Sequence, residues 1–361
     1  MAKILHVAGF SLKPKGGAFL HSVALKLSNG FIRNGHSVIN FSDRDVARAS
    51  ALLGHRKFGV GGANKALLEL CRHMEPDLLV FGHADIIRAE TILSIRALLP
   101  DCRVVQWNVD PLFEEDNLTR ISRKIEVVDA TLVSTAGALP TRLYRPGKPV
   151  AFLPNPVDFS IESGCSHQRA DLPYDLFYAC GGEHIPRHVC GAWWKAEDLI
   201  GHIETAVPGL RTVLGGIRGA PILIGASYQK ILASVALGLN ISRRNDRFLY
   251  SSDRLAQMTG NGLAILIDRA TGYDHLFGED EFAFFSTVEE LTEQVRRLTQ
   301  DAPLRQRIAG AGRSRYYALF NEGIVAKYVV DLAFGRLVET DYPWPTVLPY
   351  ESPNAAPASH D

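Results

Sequence analysis

LNISRRNDRFLYSSDRLAQMTGNGLAILIDRATGYDHLFGEDEFAFF, running from Leu239 to Phe285, is the stretch whose reading decides the fold. Leu239 to Ile241 close an apolar run and open into a loop with Arg243, Arg244, Asn245, Asp246 and Arg247, the composition of a strand end feeding a charged loop. Ser251, Ser252 and Asp253 then have the make-up of a helix start, with Leu255, Ala256 and Met258 as inward positions. The first N–H groups of a helix lack an intrahelical acceptor and carry partial positive charge, so such an end can hold a phosphate. Ordinary capping is the plainer reading of the same residues. Gly262 to Asp268 is a short apolar run that reads as a buried parallel strand. Gly272, Tyr273 and Asp274 follow at its carboxyl end, the edge at which open α/β sheets bind ligands. Asp274 and Glu281 flank Leu276 and Phe277, and a carboxylate so placed can accept both hydroxyls of a ribose. As isolated acids they would be solvated surface charges.

Outward from this stretch the chain alternates strand, loop and helix. Ile4 to Ala8 reads as a first strand, and the loop after it carries Gly16 and Gly17, where missing side chains let backbone approach a ligand. Its spacing is not G-x-G-x-x-G, so it does not specify a dinucleotide. Pro76 to His83 is a buried strand ending in Gly82 and His83, with Asp85 two residues on as an orienting partner. A histidine there can take a proton near neutral pH, or it can be structural. Arg103 to Asn108 is another strand, and Asp110 after it either binds substrate or caps the turn before Pro111. Ala130 to Ser134 and Val150 to Leu153 complete a first unit over residues 1–158. Residues 159–173 have linker composition and read as a hinge. A second unit over 174–335 opens with Tyr174 to Ala179, a Cys180-Gly181-Gly182 loop and Arg187. That guanidinium suits a diphosphate because its donors are planar and forked, although it can equally cap a helix. Tyr228 to Ala236 reads as a helix from which Lys230 points away from the apolar face. Residues 336–361 form a proline-rich tail expected to be irregular.

Composition narrows the classes. With 361 residues the chain is long enough for two cores. Lys+Arg and Asp+Glu are 39 each, so no global field draws the protein to nucleic acid or to an anionic membrane. Five cysteines without a C-x-x-C pair fit free thiols in a reducing compartment and argue against a cysteine-held metal. The segment MAKILHVAGF is neither signal peptide nor span, and no segment reaches the ~18 apolar residues of a spanning helix. The expectation is a cytoplasmic protein with room for a peripheral membrane contact.

The order of LNISRR, SDRLAQMTGNG, LAILID, TGYDHLF and EFAFF resembles the carboxyl-terminal domain of GT-B glycosyltransferases, especially the CgeB-like group. Trp107 with Asp110-Pro111 is similar to an element of that group, and the resemblance spans roughly Lys3 to Tyr317. The two acids resemble the family's E-x7-E signature, with Asp274 in place of the first glutamate and one residue fewer before Glu281. The resemblance implies two Rossmann-like, doubly wound parallel sheets facing a cleft. It implies transfer of a sugar from a nucleotide-activated donor to the hydroxyl of a glycan, lipid-linked or protein acceptor, in cell-surface or secondary glycan synthesis. On this reading helix ends and arginines handle the diphosphate and no metal is required, and no cofactor is implied beyond the nucleotide-sugar substrate. On this reading His83, Asp85 and Asp110 are the catalytic candidates. Arg187, Lys230, Arg243, Ser251, Ser252, Gly272, Tyr273, Asp274 and Glu281 hold the donor, and Gly16 and Gly17 face the cleft. Composition and strand order alone leave two other classes open, a non-catalytic nucleotide- or sugar-binding module and a nucleotide-sugar epimerase of the same architecture.

Overall fold

A computed structural model of the chain describes residues 1–11, 17–52 and 54–348, apart from the side chains of Ala18 and Phe19. The amino-terminal sheet is built from β1 (Lys3–Ala8), followed by α1 (Val23–Arg33), β2 (Ser37–Ser42), α2 (Asp43–Ala49), α3 (Val60–Met74), β3 (Leu78–Gly82), α4 (Ala89–Leu98), β4 (Arg103–Asn108), α5 (Glu115–Ile125), β5 (Ala130–Val133) and β6 (Val150–Phe152). All pairings are parallel, in the order β2-β1-β3-β4-β5-β6. Parallel strands need helical crossovers that cover both faces of the sheet. This is why LLVFG of β3 and VVQWN of β4 are buried throughout instead of alternating.

The second sheet has the same winding. β7 (Tyr174–Ala179) is followed by a small antiparallel hairpin, β8 (Arg187–Val189) and β9 (Ala192–Trp194), and then by α6 (Ala196–Ala206), β10 (Thr212–Gly215), α7 (Gly225–Leu232), β11 (Val235–Asn240), α8 (Arg254–Gly260), β12 (Ala264–Asp268) and β13 (Ala283–Phe285). Its order, β10-β7-β11-β12-β13, puts the second strand at one edge and reverses direction between β7 and β11, as the first sheet does between β1 and β3. In such sheets the crevice outside the carboxyl ends at the reversal is where ligands bind. The two reversals place the loops after β1, β3, β7 and β11 at the cleft.

Three helices close the chain, each started by a side chain that accepts an otherwise unpaired N–H. Thr287 caps α9 (Val288–Gln300) through Glu290 N, Asp301 caps α10 (Ala302–Phe320) through Leu304 N, and Asn321 caps α11 (Glu322–Ala333) through Ile324 N. The sequence groups α11 with the second unit, but its apolar face packs on α1 of the first. The chain therefore crosses back at Asn321, where Val157 N donates to Phe320 O and Glu322 N to Val157 O.

Two segments are held more firmly than their composition suggests. The 159–173 segment is not an open linker: Glu162 is wholly buried, accepts Asp158 N at 2.8 Å, and pairs with the equally buried Lys26 of α1 at 2.6 Å. The tail beyond residue 336 is anchored through Leu348. Tyr342, Trp344 and Leu348 are buried, and the segment runs antiparallel beside β6, with Phe152 N donating to Thr346 O and Leu348 N to Val150 O. The aromatic rings supply the burial that composition alone did not suggest. Pro349, Pro353 and Pro357 lie outside the described residues.

Candidate functional site

At the carboxyl edge of the first sheet the turn after β3 carries His83 and Ala84, both in the left-handed region, with φ of 56° and 41°. His83 N donates to Trp107 O, and its ring meets the Trp107 indole edge-on at 5.3 Å. Gly82 makes this possible, because a Cβ there would overlap the indole. His83 Nδ1 lies 3.5 Å from Asp110 Oδ2, and Arg120 Nη2 of α5 donates to the same oxygen at 2.9 Å. Asp85 is held by Arg44 at 3.3 Å and by Arg120 at 3.8 Å. Burial pushes the His83 imidazole below its usual range, while Asp110 and then Asp85 oppose that shift. The three expected catalytic residues are thus brought together around a neutral imidazole able to accept a proton. The sequence reading missed their cations. Arg120 and Lys124 are spaced one helical turn apart on α5, a signal that marks one face. Asp43, fully buried at the end of β2, joins the group, and its Oδ2 meets no hydrogen-bond donor among the described residues.

Across the cleft, the loops after β7 and β11 surround a cavity of about 390 Å³ lined by Gly181, Gly182, Arg187, Ser252, Arg243 and Arg254. Arg187 opens the β8 hairpin instead of a helix, which excludes the capping alternative. Its side chain runs back beneath the glycine loop, Nε donating to Tyr178 OH and Nη2 to Gly182 O, both at 3.2 Å. The hairpin is fastened to the sheet by Asp268, whose carboxylate accepts Cys190 N at 2.8 Å. Arg243 reaches over to the first unit and pairs with Glu114 at 2.9 Å, so it borders both this cavity and a polar one of about 580 Å³ that includes Asp110, Glu114 and Arg120. Arg254, which the sequence reading passed over, donates to Ser252 Oγ at 2.9 Å. A smaller adjoining space of about 190 Å³ is lined by Cys180, Leu223, Tyr228, Gln257 and, from the first unit, His21. Gln257 Nε2 donates to His21 O and its Oε1 accepts Tyr228 OH, so both units shape this end.

The remaining expected donor residues are placed elsewhere. α8 begins at Arg254, not at Ser251, because Ser251 is buried with its hydroxyl against Tyr273 OH at 2.9 Å and its carbonyl accepting Asn155 Nδ2. Gly272, at φ 75°, makes the left-handed turn that the strand end requires, and a side chain there would collide with Phe248. Tyr273 is buried, and Asp274 pairs with Arg269 at 3.4 Å. Glu281 accepts Gly278 N at 2.8 Å in its own turn. Because β12 and β13 are parallel, with Asp268 beside Phe285, Glu281 precedes β13 toward the amino edge of the sheet, the wrong end for the cleft. This corrects the expectation that it reaches the ribose. Lys230 is on α7 and borders none of these cavities. Gly17 packs against Gly225 of the second unit, where a Cβ would stand 3.0 Å from Gly225 Cα, whereas Gly16 lies outside the described residues.

Two parallel sheets of like winding, facing each other across a cleft that both line, define a GT-B protein. More particularly, residues 177–322 match a family model described as glycosyl transferase-like. Among solved structures, the chain is similar to an alpha-glucosyltransferase in complex with UDP and a 13-mer DNA containing an HMU base. The TM-score is 0.62 at 14% identity, over 92% of this chain and 99% of that one. It is similar to HepE of Anabaena in complex with UDP and glucose, with a TM-score of 0.59 at 12% identity over 93% and 100% of the two chains. It is also similar to AviGT4, a glycosyltransferase involved in avilamycin A biosynthesis, with a TM-score of 0.56 at 13% identity over 92% and 97%. A comparison with curated protein sequences finds no match. Among the described residues no helix is long and apolar enough to cross a membrane.

Proposed function

We propose that the protein transfers a sugar from a nucleoside-diphosphate donor, uridine-linked as in two of the similar structures, to an acceptor hydroxyl. The observation that carries this reading is the facing of two unlike half-sites: a cavity with three guanidiniums on the second unit, and a partly exposed imidazole–carboxylate pair on the first. Arg187, Arg243 and Arg254 with the Gly181–Gly182 backbone suit a diphosphate, since forked cationic donors match its charge and geometry. The polar cavity beside Asp110 and Arg120 receives the acceptor, whose hydroxyl proton passes to His83 Nε2 while Asp110 stabilises the imidazolium formed. These residues handle the diphosphate charge without calling on a metal. The acceptor is a glycan, a lipid-linked sugar or a protein, made in cell-surface or secondary glycan synthesis, as in the CgeB-like group that the sequence resembles.

The test is release of nucleoside diphosphate from a panel of nucleotide-sugars, with and without saccharide acceptors, in parent and His83→Ala protein. Acceptor-dependent release that the substitution abolishes supports transfer. An epimerised donor formed without acceptor would show an epimerase instead, and tight nucleotide binding with no turnover would show a binding module. A DNA acceptor belongs in the panel because one similar structure contains DNA, and transfer to it would overturn the proposed acceptor class.

A further inference from the structure

The turn that carries His83 has an unusual backbone. Neither His83 nor Ala84 is glycine, yet both hold a positive φ, and a side-chain-bearing residue stays in that region only where its surroundings over-determine it. The turn is tight, with Ala84 N donating to Gly82 O at 2.6 Å, and its outer anchors are Trp107 O, which accepts His83 N, and Ala84 O, which accepts Ile87 N. None of these reaches the His83 carbonyl. Lys124 does: its ammonium, on a residue only 3% exposed, donates to His83 O at 2.6 Å and to Ala84 O at 2.8 Å. No other donor to the His83 carbonyl is found among the described residues.

A buried ammonium is costly to desolvate, and burial lowers this one to about 8, opposed by the charges of Asp85 and then Asp43. Those two acids stand at the ends of β3 and β2, and among the described residues the buried Asp43 makes no ion pair that would divert it. One turn earlier on the same helix, Arg120 holds the carboxylates of Asp110 and Asp85. A single helix therefore fixes both partners of the pair: Arg120 the carboxylate, Lys124 the backbone beneath the imidazole.

We infer that Lys124 is a positioning residue for proton transfer, holding the His83–Ala84 turn in the conformation that directs the imidazole toward Asp110 and the cleft. The inference rests on the reading of His83 as the base. It concerns a residue that touches no substrate, so the consequence belongs in turnover and not in donor binding.

The experiment compares parent, Lys124→Met, His83→Ala, and the double variant Lys124→Met with Ala84→Gly in the transferase assay, with calorimetric titration of nucleotide on each. Methionine keeps most of the length of the stem and removes both hydrogen bonds. Displacement of a reacting group by ~1 Å costs about 100-fold, so Lys124→Met should lower kcat by about that factor while KM for the nucleotide-sugar and nucleotide affinity stay at parent values. Glycine adopts a positive φ without steric cost, so Ala84→Gly in the lysine variant should recover roughly tenfold of the loss. A general loss of packing would give no such recovery, and would lower nucleotide affinity as well; either result overturns the inference. Parent-like kcat in Lys124→Met beside an inactive His83→Ala also overturns it, leaving the functional reading intact. Full activity in His83→Ala sinks the functional reading and this inference with it.

Discussion

His6 lies wholly inside the first sheet, and its hydrogen bonds define its protonation. Trp107 Nε1 donates to His6 Nε2 at 3.1 Å, so the proton of the neutral ring is on Nδ1, which donates to Ser28 Oγ at 2.8 Å; Ser28 in turn donates to Asn40 Oδ1. A second proton, on Nε2, would face an indole N–H and would charge a wholly buried ring. Burial accordingly lowers the imidazole from 6.5 to about 3. Between those two values the unfolded chain binds a proton that the folded chain refuses. The contribution is therefore fully present above pH 6.5 and is lost as pH falls toward 3, with a limiting size of about 5 kcal/mol at ~1.36 kcal/mol per pH unit. His6→Gln isolates it, because a glutamine can still accept from Trp107 yet does not titrate. Urea unfolding of parent and variant from pH 7.5 to 4, read as the difference in free energy, removes the carboxylates common to both. The parent should lose stability relative to His6→Gln by about one proton's slope below pH 6. Parallel curves across that range would show that His6 is hydrated or protonated in the folded chain, and the reasoning would fail.

Other outcomes follow from the same geometry. His83→Ala should lower turnover by about 10²- to 10⁴-fold with nucleotide affinity unchanged, and Asp110→Asn should act in the same direction, as steady-state kinetics beside titration calorimetry would show. Arg187→Ala and Arg254→Ala should each weaken nucleotide binding by roughly 10- to 100-fold, the worth of a charged hydrogen bond of about 1.5–3 kcal/mol, whereas Glu281→Gln should leave it unaltered. Weakened binding in the Glu281 variant would return the ribose contact to the turn before β13. Lys26→Met strands the buried Glu162 carboxylate and should cost about 3–5 kcal/mol in chemical denaturation, with the 159–173 segment becoming a site of proteolysis. An unchanged denaturation midpoint would mean that Glu162 is neutral in the folded chain.

The winding of both sheets was legible in the sequence because parallel strands buried on two faces appear as short apolar runs, such as LLVFG and AILID, between helices of ordinary length. The rule that ligands bind at carboxyl strand ends then pointed to His83, Asp110, Arg187 and Arg243, and all four stand at the carboxyl edges of their sheets, since strand direction alone sets which end a loop occupies. What sequence could not supply was anything decided between units or by register. Glu281 looked like a partner of Asp274 because they are close along the chain, but the turn between them carries the chain back to the amino edge before β13 begins. Ser251 and Ser252 looked alike, and only the fold turns one inward to Tyr273 and leaves the other beside Arg254. α11 follows the second sheet in order, yet its apolar face is completed by α1, at the opposite end of the chain. Lys124 is one charge among several on an amphipathic helix until the turn after β3 is laid across its end. Local pattern reports which way a side chain faces; which partner waits there is a property of the packed molecule.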